Sequence, residues 1–129
     1  MPVYDDPSFP VKVLTPGFPI TVWNAEDIEP DDPSGMSGSI AVCLHRDQNF
    51  PSVVSAEISF DGDPGTCEVD LQTADTNADH YFVTHASISQ TAFNPYFVGR
   101  IEAINIVAKF VRLRLKAASN DVNVTAKLF

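Results

Sequence analysis

Four stretches of this chain alternate apolar and polar residues with a period of two. Val54, Ala56, Ile58 and Phe60 share one face of the run 53–60, and Cys67, Val69 and Leu71 alternate with Glu68, Asp70 and Gln72. Val111, Leu113 and Leu115 alternate with Phe110, Arg112, Arg114 and Lys116. Val122, Val124, Ala126 and Leu128 alternate with Asn123, Thr125 and Lys127. Strict alternation marks a β-strand with one buried face, because successive side chains point to opposite sides. Between the first two runs lies Asp61-Gly62-Asp63-Pro64-Gly65, and between the last two lies Ser119-Asn120-Asp121. Both are dense turn signals, so each pair of runs is expected to form a β-hairpin. Because Phe129 ends the last run, a self-contained module is expected.

Ile40–His45, a nearly continuous apolar run, is a further strong strand signal, and other candidates fall at Val11–Leu14, Ile20–Trp23, Tyr81–Val83, Ala86–Gln90 and Arg100–Asn105. Ile101, Ile104 and Ala108 fit a turn or two of helix, but their β-branched neighbours argue against it. No stretch sustains a 3.6-residue apolar period with caps. About eight short strands separated by turns point to an all-β fold, a β-sandwich and specifically a jelly roll, with under about a tenth of the chain helical. Seven prolines (Pro2, Pro7, Pro10, Pro16, Pro19, Pro30 and Pro33) crowd the first 38 residues. Proline donates no backbone hydrogen bond and is excluded from central strands. The expected organisation is an extended, proline-rich N-terminal arm over residues 1–19 and a single sandwich domain over 20–129, with an acidic loop at Glu26–Ser39.

At 129 residues the chain has room for one domain with a real core. No apolar run approaches the ~20 residues of a membrane helix, so no membrane contact is expected. The start MPVYDDPSFPVKVL lacks the features of a secretory signal, and synthesis in the cytoplasm is expected. Residues 1–99 hold fifteen acids and two bases, and residues 100–129 hold two acids and six bases, for a net charge of −9. Such an acidic chain does not suit nucleic-acid binding, which needs clustered Lys and Arg. The basic tail either pairs with acids on neighbouring strands or forms a basic face for an acidic partner. Cys43 and Cys67 sit in strand contexts with no metal spacing, and reduced, buried thiols are expected.

Candidate chemistry is sparse. His80 and His85 flank Tyr81–Thr84, His45 closes a strand, and the three fit no zinc motif. Asp75-Thr76-Asn77-Ala78-Asp79 begins like a calcium loop, but the sixth position is His80 and the twelfth is Ala86, where Gly and Glu are required. A looser site using Asp61, Asp63 or Asp70 is the remaining calcium possibility, against the simpler reading of turn-forming acids. No nucleophile elbow, P-loop or dinucleotide fingerprint occurs, so neither an enzyme nor a cofactor is expected. Trp23, in Pro19-Ile20-Thr21-Val22-Trp23-Asn24, reads as core. The aromatics beside prolines and turns, Phe9, Phe18, Phe50, Phe93 and Phe97, either anchor a partner or plug the ends of the sandwich.

The segments FPSVVSAEISFDGDPGTCEVDLQTADT and AKFVRLRLKAAS, with the proline-rich start, resemble the jelly-roll head-decoration (cement or staple) proteins of tailed bacteriophages. The resemblance lies in strand texture over about residues 50–129 and carries over no ligand or catalytic residue. It implies a homo-oligomeric virion protein on the outer capsid surface that binds the major capsid protein and reinforces joints between its subunits. For such a role the contacts expected are Val3, Tyr4, Phe9 and Phe18 in the arm, with Phe93, Tyr96 and Phe97 in a turn. The alternatives on the same fold are a carbohydrate-binding module and a tail or baseplate adsorption component.

Overall fold

A computed structural model describes residues 11–14, 19–27, 36–37, 41–44, 52–117 and 119–129. Ten strands are present: β1 (Val11–Leu14), β2 (Ile20–Asp27), β3 (Met36–Ser37), β4 (Ala41–Leu44), β5 (Ser52–Phe60), β6 (Glu68–Ala74), β7 (Val83–Ser89), β8 (Val98–Ile106), β9 (Phe110–Ala117) and β10 (Asn123–Leu128). Two sheets form. One has the order β2-β10-β5-β8; the other has the order β1-β4-β9-β6-β7, with β3 also on β9. All pairings are antiparallel except β1 with β4, which lie parallel in register from Val11↔Ala41 to Leu14↔Leu44.

The pairings nest. β6 pairs β7, β5 pairs β8, β4 pairs β9 and β2 pairs β10. A set of nested pairs is one long antiparallel ribbon, and rolling it up brings β5 onto β10 and β6 onto β9. That winding is the jelly roll expected from the sequence.

Both expected hairpins are corrected. β5 and β6 belong to different sheets, as do β9 and β10, so Asp61–Gly65 and Ser119–Asp121 carry the chain across the sandwich. Alternation records that one face is buried; it does not say which sheet the strand joins. Of the expected run Tyr81–Val83, only Val83 lies in a strand. Asp79–Tyr81 forms a 3-10 turn, and a single strand, β7, replaces the two short runs expected around it.

The period-two residues meet in one core. Trp23 of β2 is buried there, with Val54, Ala56 and Ile58 of β5, Val69 and Leu71 of β6, Val111 and Leu113 of β9, and Val124, Ala126 and Leu128 of β10. Each buried Val, Leu or Ile side chain there contributes roughly 1.5–3 kcal/mol by leaving water. Gly99 in β8 is required by this packing. A Cβ there would come within 2.6 Å of Ile88 and 2.7 Å of the Phe93 ring.

Candidate functional site: the two ends of the sandwich

The registers define two ends. At the first, β5 and β7 finish while β6, β8 and β10 begin. Here the two crossing links brace one another. The Pro64 carbonyl accepts the N–H groups of Ser119 (3.1 Å) and Asn120 (3.2 Å), and Ser119 Oγ accepts the Thr66 N–H at 2.9 Å. Gly65 sits at φ +70°, where Asp63 Oδ1 accepts its N–H at 2.8 Å. The Asp61 carboxylate accepts the Asn123 N–H at 2.8 Å. Acids crowd this end. A hydrogen bond to Asp27, and then its charge, push the Asp121 carboxyl up, with smaller effects from burial and Asp61. Cys67 is a free, buried thiol (3% exposed), and burial, then the charge of Asp63, push its pKa up to about 11.

The aromatic turn is also at this end. Asn94 organises it: its Oδ1 accepts the N–H groups of Tyr96 (2.8 Å) and Val98 (3.1 Å), and its N–H donates to the Val98 carbonyl at 3.0 Å. Phe93 meets Phe60 edge-on, with centroids 5.3 Å apart. Phe93 and Phe97 are half-buried against the core, plugging the sandwich, whereas Tyr96 is 81% exposed. A polar cleft of about 390 Å³ opens beside them, lined by Asp63, Thr66, Gln90, Thr91, Asn94 and Phe97 among others. Of the other expected contacts, Val3, Tyr4, Phe9 and Phe18 lie outside the described residues, as do His45 and Phe50. Val11–Leu14, within the expected arm, pairs with β4.

The opposite end is apolar. Seven large hydrophobic residues are exposed among the described residues, and six of them are here: Val53, Tyr81, Val83, Ile104, Val107 and Phe129. Their placement follows from the registers. Ser52 lies opposite Ile106, Thr73 opposite Val83, and Ala74 opposite Phe110. Phe129 exchanges two backbone hydrogen bonds with Ser55 (2.8 and 3.3 Å), beside Val53 on the outer face of the four-stranded sheet.

Arg112 supports this rim from beneath. It is 1% exposed although it lies on the outer face of its sheet. Its Nε donates to Gln72 Oε1 at 2.8 Å, its Nη1 donates to Asp79 Oδ1 at 2.7 Å, and its guanidinium lies 4.3 Å from the centre of the Phe82 ring. Phe82 packs with Ala74 and Phe110. The segment 75–82 is thereby folded over the sheet, and Tyr81 and Val83 are held at the end. The alternation of Arg112 with apolar neighbours predicted an outward side chain; its burial comes from that covering segment.

The basic tail therefore pairs in part within the chain. Arg112 meets Asp79, Lys116 meets Glu68 at 3.4 Å, and Arg100 meets Glu57 at 2.8 Å. The calcium-like stretch is occupied by the chain itself: Asp75 Oδ1 accepts the Lys109 N–H (3.3 Å) and Asp79 holds Arg112. His80 rests on Tyr81 with ring centres 4.2 Å apart, and His85 Nε2 lies 3.0 Å from the Ile104 carbonyl oxygen. No group of three or more metal-ligating side chains occurs among the described residues. Asp70 is buried in mid-strand; its Oδ1 has no hydrogen-bond partner, and burial, then Glu68, push its carboxyl up.

The rim was missed by sequence reasoning, although a signal exists. Val53, Val107 and Phe129 sit next to the in-phase residues Val54, Ile106 and Leu128, so each is an apolar residue out of step at the end of a run. Comparison with family models, with curated proteins and with solved structures gave no match.

Proposed function

We propose that this chain is a non-enzymatic structural protein that decorates the outer surface of a tailed-phage capsid and cements joints between major capsid protein subunits. The observation that carries this reading is the exposed apolar rim on one end of a jelly roll whose other end is closed and acidic. Exposed apolar residues gathered at one end of a domain support a protein–protein contact there. A rim of Val, Ile, Tyr and Phe buries area on a flat neighbour without any cleft. Binding of this kind stabilises the bound particle by mass action, and a specific contact buries more than about 1,000 Å². Phe93 and Phe97 are half-buried against the core, so the proposal leans on the rim rather than on those two rings.

The experiment is a comparison of particles made with and without this protein. Decorated particles should rupture at a higher temperature, and adding the purified protein back to bare particles should restore the difference. Identical melting of the two would refute the proposal. A second reading, sugar binding, draws support from Tyr96, exposed on the turn beside the polar cleft. It predicts that a glycan array binds the protein and that Tyr96→Ala abolishes the binding.

A further inference from the structure

β8 is the outer strand of the four-stranded sheet, and its unpaired edge has a definite pattern. Ser55 exchanges both its backbone hydrogen bonds with Phe129, so the odd residues of β5 face β10 and the even ones face β8. Ala56 pairs with Ile101 and Ile58 with Gly99. It follows that Val98, Arg100, Glu102 and Ile104 turn their N–H and C=O groups away from the sheet. Two of these positions are capped within the chain. Asn94 bonds both backbone groups of Val98, and the Ile104 carbonyl oxygen meets His85. Among the described residues, Arg100 and Glu102 keep theirs open, in the middle of a nine-residue strand.

The side chains of these two residues are exposed on the solvent face of the sheet. There the registers Lys127↔Glu57 and Glu57↔Arg100 set charges in a row of alternating sign, the last contact being the 2.8 Å ion pair of Arg100 with Glu57. Glu102 lies opposite Ser55 and has no ion pair among the described residues.

We propose that β8 pairs antiparallel with β8 of a second copy of this chain, about a two-fold axis at Ile101. Of the registers that join open groups to open groups, centring on Arg100 or Glu102 sets like charges opposite each other, which is destabilising. Centring on Ile101 sets Arg100 opposite Glu102 of the other copy, twice. The charge row then runs on across the junction as Lys127, Glu57, Arg100 and the second copy's Glu102. Four backbone hydrogen bonds form, and two four-stranded sheets become one of eight strands. Edge addition of this kind is a general mode of strand recognition. The short window makes a weak dimer, with a Kd of about 10–100 μM, as suits a small interface. Because the paired strands run antiparallel, the two apolar rims lie at opposite ends of the joined sheet.

Sedimentation equilibrium of the full chain tests this. The wild type should move from monomer to dimer over that concentration range. Arg100→Glu and Glu102→Arg should each remain monomeric, because each alone sets like charges opposite each other. An equimolar mixture of the two should dimerise again, since every charge then meets its opposite. Glu102→Pro removes an N–H that points away from β5, so it should stay folded by circular dichroism and be monomeric. A wild type that is monomeric to about 1 mM, an oligomer unchanged by these substitutions, or a mixture that stays monomeric would each overturn the proposal.

Discussion

The two ends of this jelly roll are made from the same strands and come out differently. At one, backbone hydrogen bonds, a left-handed glycine and two half-buried phenylalanines close the sandwich beneath a skin of carboxylates. At the other, a buried arginine props up a 3-10 turn so that large apolar side chains stand in water. The contrast separates what holds the fold from what the fold offers to a partner. Exposed apolar groups add little to the stability of the isolated chain, and their concentration at one end is what the proposed contact rests on.

The largest expected effect is on binding. The double substitution Val83→Lys and Val107→Lys should weaken attachment to bare capsids by about 100-fold or more, since it places charge inside a desolvated contact. Because both residues are exposed, thermal unfolding of the isolated protein should shift by no more than the equivalent of about 0.5 kcal/mol. Arg112→Ala should be the most damaging to the fold, by about 3 kcal/mol in urea unfolding. It leaves Gln72 and Asp79 without their buried donor and releases the turn beneath the rim. It is therefore the one substitution that should cost both stability and binding.

The closed end should answer in stability alone. Gly65→Ala should cost about 2 kcal/mol, because φ is +70° and the new Cβ would run into Ser119 Oγ, while capsid binding stays intact. Cys67 gives a pH signature at the same end. Its folded pKa, about 11, lies above the ordinary 9.0, so the stability it contributes is complete below pH 9 and is lost as pH rises through about 11. Denaturant midpoints should fall over that window, and Cys67→Ala should remove the fall. The smallest effect belongs to Tyr96→Ala, which should change stability by less than about 0.5 kcal/mol and leave capsid binding unaltered.

The fold was legible to the extent that alternation is local. The runs around Ile58, Leu71, Leu113 and Val124 were readable as strands with one wet face, and their number led to a jelly roll. Pairing was not readable, because a strand buries the same face whichever sheet it joins, and a turn-rich link such as Asp61–Gly65 serves a crossing as well as a hairpin. Arg112 was legible as outward-facing but not as buried, since its cover, Asp79 to Phe82, comes from a segment about thirty residues away. Phe93 and Phe97 stood out in the sequence as turn aromatics that either anchor a partner or plug the end, and sequence could not choose: Gly99 opens space beneath Phe93, and both rings are half-buried against the core. The rim was overlooked because Val53, Val107 and Phe129 break the alternation, and that break is itself the mark they leave.

The most direct measurement is amide hydrogen exchange of the protein bound to capsids against the protein alone. Slowed exchange at residues 81–86 and 104–109, with 90–98 unchanged, is the predicted result. Protection confined to 90–98, or none on the particle, would contradict the assignment of the apolar end as the binding face.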